Sequence, residues 1–442
     1  MPVRMYRYAA TMGGLLFFFG MSFLYAFGSR GLYEHILTWY GIEPFRFPFL
    51  DISAWLAVWE CARQGVDVIS ANPCDVLQRS YSCSPLWIAA SVIPLGVSNT
   101  PMVGWSLDLL FLLSLSLLPS PRRRVELIVV LAATLSTMVV FALERTNPDV
   151  LLFLMALATG ILAERCLFLR VLGYLVALLA ALLKYYPITI LVSMFREARS
   201  VFAFLSLLIL GCLAVFWAEY HTEIARGLPS ISQGPYNSNL FAAKNLPSLL
   251  GEVAARAAQG SGRAAIVQRL VAGGLYALLL GSTLSICRGL LGSGDLRHAL
   301  ASLTGPERIF LVIGSAVIAG CFFAGQSVEY RGIFFLLVIP GLLGIGRGSS
   351  PEVRKLSLGT SIVIIALMWG ECVRLALYRA FEGPGIPEIF ADQIKFLFWL
   401  FRELGWWWTI SIMLTVLIDF LQASPVTLWL SSRLRYGVTA AG

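Results

Sequence analysis

Apolar runs long enough to cross a bilayer recur along the whole of this chain, and no other feature constrains its fold as tightly. A membrane-spanning helix needs about 20 mostly apolar residues. Such stretches cover residues 8–27, 126–143, 201–220, 266–286, 309–324, 356–373 and 406–421, with shorter or interrupted runs between them. Hydrophobic residues make up 58% of the 442 and charged residues 13%, too little polar surface for a soluble domain of this size. The first run reads as a permanent span, because no small-residue cleavage site follows it and it is too long for the apolar region of a signal peptide.

The formal net charge is +8, and its placement matters more than its size. Arg4 with Arg7, Arg122 to Arg124, Arg196 with Arg199, Arg347 with Arg354 and Lys355, and Arg433 with Arg435 flank apolar runs. The excess of basic residues in cytoplasmic loops assigns these clusters, and both termini, to the cytoplasm. Whole spans separate them, which argues against a nucleic-acid surface. Residues 28–83, 144–149, 221–263, 325–331 and 378–403 then face outward, the first and third being the first and later large outer loops. Two apolar stretches resist simple counting, one parted at 96–101 and one bent at 184–187. Irregular backbone at membrane depth is tolerated only beside protein or a water-filled cavity. The expectation is a single all-α transmembrane domain over 1–442, with about 12 crossings, some broken or re-entrant, around a cavity open to the outside.

Cys61, Cys74 and Cys83 fall in the first outer loop. Cys74 and Cys83 bracket a turn-rich stretch and are expected to form a disulfide in an oxidising compartment, free thiols being the competing reading. Cys212, Cys287, Cys321 and Cys372 lie in or beside apolar runs and read as packing residues. There is no phosphate-binding GxxxxGK[ST] loop and no dinucleotide fingerprint, so direct use of ATP or a nicotinamide cofactor is not expected. His35, His221 and His298 are too scattered for a zinc centre. The glycines from Gly341 to Gly348 end an apolar helix, where close packing explains them.

The polar residues that interrupt the apolar pattern supply the candidates. Ile52, Trp55, Leu56, Trp59 and Ala62 recur at helical spacing, which predicts an amphipathic helix on the membrane surface with its tryptophans at headgroup level. Asp51 stands at its start, either as a cap or as an interfacial general base. Glu144 to Asp149 contains an Asn147-Pro148-Asp149 helix start, a structural reading that leaves room for lining a polar cavity. Lys184 has no acid within ten residues on either side. An ionisable residue so placed is costly and often functional, snorkelling to the headgroups being the alternative. In Gln326 to Arg331 the arginine suits a phosphate, against a solvated Glu329 and Arg331 pair.

Taken together, these segments resemble the GT-C superfamily of membrane glycosyltransferases, and most closely its family 87, whose members use polyprenyl-phosphate sugars. Leu50-Asp51-Ile52-Ser53-Ala54-Trp55 with Gly65-Val66-Asp67 is similar to the family's first-loop pattern, in which the acid is catalytic. Tyr81 to Trp87 resembles its Tyr-Pro-Pro-Leu-like entry to the second span, lacking the first proline. Glu144 to Asp149 occupies the place of a Gly-Gln-x-Asn-like motif, of which Asn147 is kept. Leu183-Lys184-Tyr185-Tyr186-Pro187 matches its Lys-x-x-Pro element. Tyr236-Asn237-Ser238-Asn239, followed by Leu249, is similar to its Asn-Gln-Ser loop, and Glu329-Tyr330-Arg331 to its Tyr-Arg pair before a late span.

The resemblance implies transfer of a sugar from a polyprenyl-phosphate carrier to an acceptor hydroxyl, lipid or glycan, at the non-cytoplasmic face of an inner or plasma membrane, with inversion. Asp51 is then the base. Lys184, Arg331 and Tyr330 hold the donor phosphate, and Asn147, Asp149, Asn237, Asn239, Lys244 and Glu329 are candidates for sugar or acceptor contacts. No cofactor is expected; a divalent cation stays open, although no ligand spacing joins Asp51, Asp67, Asp75 and Asp149. The competing reading is a secondary transporter or flippase with Lys184, Glu329 and Arg331 along its path. The long first outer loop favours an enzyme that docks a substrate there. A ligase or polymerase of lipid-linked glycans would need a larger late loop than 221–263.

Overall fold

The computed structural model describes residues 3–231, 233–258, 263–381 and 388–431; the basic pair Arg433 and Arg435 lies outside the described residues. In chain order the helices are α1 (Ala9–Ala26), α2 (Arg30–Trp39), α3 (Leu50–Arg63), α4 (Pro85–Ala89), α5 (Thr100–Ser114), α6 (Arg124–Thr134), α7 (Thr137–Arg145), α8 (Asp149–Ala163) and α9 (Leu167–Leu183). After a 3-10 segment, Tyr186–Arg196, come α10 (Arg199–Gly227), α11 (Asn245–Ala257), α12 (Ala264–Gly292), α13 (Gly294–Ala301), α14 (Gly305–Ala324), α15 (Phe335–Ile345), α16 (Pro351–Met368), α17 (Gly370–Phe381) and α18 (Glu388–Gln422). One small antiparallel pair, β1 (Leu240–Phe241) and β2 (Ser327–Val328), sets Leu240 opposite Val328 and Phe241 opposite Ser327.

Among the described residues seven helical stretches are long and apolar enough to cross a membrane, or eight if α16 with α17, bent by 64°, is counted as one span. The chain is an all-α, multi-pass membrane protein. Position in the bundle follows from which helices bury all sides. α14 is packed nearly all round, with Phe310, Ile313 and Val317 buried along it, Phe310 against Gly160 of α8, and Gly314 against Phe334 and against Leu337 and Val338 of α15. By contrast α10 buries little beyond Leu205 and Ile209, and α12 only Thr283 and Cys287, so both stand at the periphery. A Cβ on Gly341 would lie 2.6 Å from the Leu311 Cβ and 2.7 Å from the Glu307 carbonyl, so close packing explains this glycine, whereas Gly348 has open space around it and is set instead by its left-handed φ of 70°.

Local signals set the helix ends. Ser84 caps α4 ahead of Pro85, and Thr304 with Glu307 forms a capping box on α14. The interruption expected near 184–187 is present: α9 ends at Leu183, Lys184 is extended, and Pro187 opens the 3-10 segment. At about 25 Å and 22 Å, these two rods are short for their task. The antiparallel α8 and α9 place Asp149 and Lys184 at one end of the bundle. At the other end Arg170 grips Glu197 at 2.8 Å and 2.9 Å. Arg347 there joins Glu126 at 2.9 Å and 2.7 Å, and also pairs with Glu307.

Two expectations for the first loop are corrected. The helix α3 forms, but Val58 and Ala57 are buried as well as Leu56 and Trp59. Its tryptophans pack on α4 within the protein: Trp55 meets Trp87 edge-on at 4.1 Å, and the Trp59 indole donates to the Trp87 carbonyl at 2.6 Å. The second correction concerns the disulfide. Cys74 bonds to Cys61, with Cα atoms 5.8 Å apart, and Cys83 is free. The loop folds back onto α3, so that Val68, Ile69 and Tyr81 pack around Cys61. Proximity along the chain was the wrong guide. Non-reducing peptide mapping should recover Cys61 linked to Cys74 with Cys83 alkylated after denaturation; a Cys74–Cys83 peptide would contradict this pairing.

Candidate functional site

The site begins where two strained turns meet. Phe49 (φ 70°) and Thr146 (φ 40°) both adopt left-handed backbone, uncommon for bulky and β-branched residues. The Phe49 N–H donates to the Glu144 carbonyl at 2.6 Å, and the Thr146 hydroxyl donates to Asp108 at 3.0 Å. Together they bring the first turn of α3 against the junction of α7 and α8. Asp51 makes no capping bond to α3. Its Oδ2 accepts instead from the Asn147 amide at 2.6 Å, while Asn147 Oδ1 accepts from the Asp149 N–H at 3.0 Å.

Asp149 is fully buried and gathers the cations. Its Oδ1 accepts from Lys184 Nζ at 2.6 Å and from the Tyr186 hydroxyl at 2.7 Å, and its Oδ2 from Arg331 Nε at 3.3 Å. Arg331 also donates to Ser327 Oγ at 2.5 Å and lies 5.0 Å over the Tyr186 ring. Lys184 finds its acid 35 residues away, so the absence of a local partner is resolved by tertiary pairing. Two cations against one carboxylate leave one positive charge for a ligand. Side chains of Asp51, Lys184 and Arg331 are 19%, 14% and 18% exposed, so each keeps a face open.

The carboxylate and the cations share one electrostatic neighbourhood. Burial raises the Cys83 thiol pKa, Lys184 and Arg331 oppose that rise, and Asp149 and Asp51 add to it. The Tyr330 phenol is likewise pushed up by burial and then by Asp51 and Asp149. Both groups therefore lie within reach of the two carboxylates.

Several contributors have no local signature in the sequence. Arg79 stands 3.6 Å from Asp51 Oδ1, aimed by Asp75 at 2.8 Å and 3.2 Å. Tyr186 was legible only as part of a motif. Arg402, buried in α18, donates to the Ser238 carbonyl at 2.7 Å, Glu403 at 3.0 Å, and Glu329 and the Leu240 carbonyl at 3.3 Å. It ties the β1 loop to the segment carrying Arg331. Arg402→Gln should lower the thermal midpoint, by about 3–5 kcal/mol of stability, because the buried Glu329 and Glu403 lose their counter-charge; Arg402→Lys should recover only part, since one ammonium cannot match the guanidinium fork. A thermal-inactivation series checks the order, and an unchanged midpoint for Arg402→Gln would refute it.

Other expected residues stand apart. Glu329 turns to Arg402 rather than pairing with Arg331. Asn237 is exposed, Asn239 offers its carbonyl to the Glu329 N–H at 3.3 Å, and Lys244 donates to Gln233 at 3.2 Å. Among the described residues none of these three side chains bonds to the Asp51–Asp149 unit. The aspartates considered for a cation have separate partners, Asp67 on Arg226 and Ser70, Asp75 on Arg79.

Comparison with family models, curated proteins and solved structures returns no match.

Proposed function

We propose that the chain is a GT-C-type membrane glycosyltransferase of the family 87 kind, moving a sugar from a polyprenyl phosphate to an acceptor hydroxyl at the non-cytoplasmic face. The observation that carries this reading is the hydrogen-bonded run Asp51–Asn147–Asp149, which sets a partly open carboxylate beside two partly open cations. In the step, the acceptor O–H gives its proton to Asp51 and its oxygen bonds to the anomeric carbon. The bond from that carbon to phosphate breaks, and its electron pair leaves with the polyprenyl phosphate. Attack opposite the leaving group inverts the centre.

The charge that develops on the phosphate oxygen is met by Lys184 and Arg331, whose positions Asp149 and Tyr186 fix beforehand. Donors already aimed in a dry site need no reorganisation when the charge appears. The role left to Asp149 is thus to hold the cations rather than to touch the sugar. An apolar groove of about 650 Å³ starts at Ile188 and Gly320, just past Tyr186, and runs along α10, α14 and α18; it suits the polyprenyl chain. In this reading α8, α9, the 3-10 segment and α15 cross as short spans beside the longer ones, about 12 crossings in all, with the Asp51 end outside and the termini inside.

Purified protein in nanodiscs, supplied with a polyprenyl-phosphate sugar and a membrane extract of acceptors, tests the reading by mass spectrometry. A covalent hexose or pentose increment supports it. Movement of the intact donor between leaflets with no new product would support a flippase instead.

A further inference from the structure

A partly enclosed cavity of about 520 Å³ lies among α1, α2, α5 and α7, on the side of Phe49 and Ser53. Its walls are aromatic and aliphatic, with Phe18, Met21, Tyr33, Phe49 and Trp105 prominent, and the adjoining faces of α1 and α5 expose Phe19, Phe23 and Met102. A lipid chain can therefore enter sideways from the bilayer without crossing water. One wall is charged: Glu144 lines the cavity at 7% exposure.

That glutamate is paired with Arg145 at 2.8 Å, yet neither carboxylate oxygen of Glu144 nor the Nε of Arg145 makes a hydrogen bond. Arg145 is otherwise held by the Glu43 carbonyl at 2.9 Å. The pair is neutral as a unit and lacks both donors and an acceptor. An ammonium group supplies only donors, and a phosphate only acceptors. Hydroxyls supply both.

We infer that this cavity binds a lipid with a neutral polyol headgroup, its chain among the aromatic walls and its hydroxyls on Glu144, whose pairing with Arg145 leaves no net charge for an ionic headgroup. Resting on the transferase reading, this lipid is the acceptor. The Phe49 N–H bonds to the Glu144 carbonyl, Asp51 lies two residues further on, and the Asp51 charge acts on Glu144. A polyol held at Glu144 thus sits beside the base, at the edge of the first turn of α3.

The test uses the full-length protein in nanodiscs and dodecyl glucoside brominated on its chain. Quenching of Trp105 is read as the difference between wild type and Trp105→Phe. Saturable quenching is expected, reversed by unlabelled dodecyl glucoside. Dodecylphosphocholine, with the same chain and no hydroxyl, should compete roughly tenfold less well. Ethyl glucoside should be weaker by on the order of 100-fold. Glu144→Gln should narrow the headgroup preference, and Ala26→Phe, which fills the cavity from α1, should weaken binding; should either variant fail to fold, the wild-type ranking still decides. Absent saturation, or equal competition by dodecylphosphocholine or by ethyl glucoside, overturns the lipid site. A protein that transfers sugar but fails these contrasts loses the lipid site alone. One that meets them but transfers no sugar to any acceptor keeps the lipid site and refutes the transferase.

Discussion

Asp51→Asn protein is expected to bind a polyprenyl-phosphate sugar with an affinity close to wild type and to transfer that sugar on the order of 10³-fold more slowly. The substitution keeps the shape of the side chain, and the amide oxygen still accepts from Asn147, now at 2.6 Å from the carboxylate. What it removes is the ability to take a proton. The loss should therefore fall on kcat, with donor KM little changed, because the donor phosphate is held by Lys184 and Arg331 and not by Asp51. Arg79, 3.6 Å from the same carboxylate, remains held by Asp75, so a collapse of the loop is not the cause of the loss. Single-turnover measurement with saturating lipid donor separates the two quantities. Near-normal transfer by the variant would remove Asp51 from the chemistry and leave the cations without a reaction to serve.

A large loss of stability, as large as that expected at Arg402, is expected at Asp149. Converting it to Ala leaves the Lys184 ammonium, the Arg331 guanidinium and the Tyr186 hydroxyl around a void with no acceptor, since all three converge on this one buried carboxylate. Breaking a buried pair from one side costs about 3–5 kcal/mol, because the uncompensated charge stays buried. Asp149→Asn should be milder, since an amide oxygen still accepts from Tyr186. Combining Asp149→Ala with Lys184→Met should recover part of the loss by removing one orphaned charge. Thermal inactivation in matched detergent micelles gives the order, and a single Ala variant as stable as wild type would show that the cations are solvated rather than held.

These two residues also show how far the sequence reached. Asp51, Lys184 and Arg331 were legible because each interrupts an apolar or amphipathic pattern, and a polar group in such a place is expensive enough to be noticed. Asp149 was legible as a helix start and as a candidate for sugar or acceptor contacts, but not as the partner of the two cations. Its function as the hub depends on Lys184, 35 residues on, and Arg331, 182 residues on, and nothing in the local pattern encodes those distances. Arg79 and Arg402 were missed for the same reason: one sits in a loop rich in polar residues, the other in a helix turn beside Glu403, where a basic residue looks solvated. The proposed disulfide failed because the loop was treated as a separate short ring, whereas the packing of Val68, Ile69 and Tyr81 against α3 returns Cys74 to Cys61.

The sequence by itself determined that this chain lives in a bilayer as helices and that the helix near Lys184 must break, because hydropathy and the missing N–H of proline act over one segment at a time. Only the tertiary structure decided which charges meet, which way α3 faces, and which cysteines join. Those outcomes depend on burying particular side chains against partners from distant helices, and on an electrostatic cost that exists only once water has been excluded.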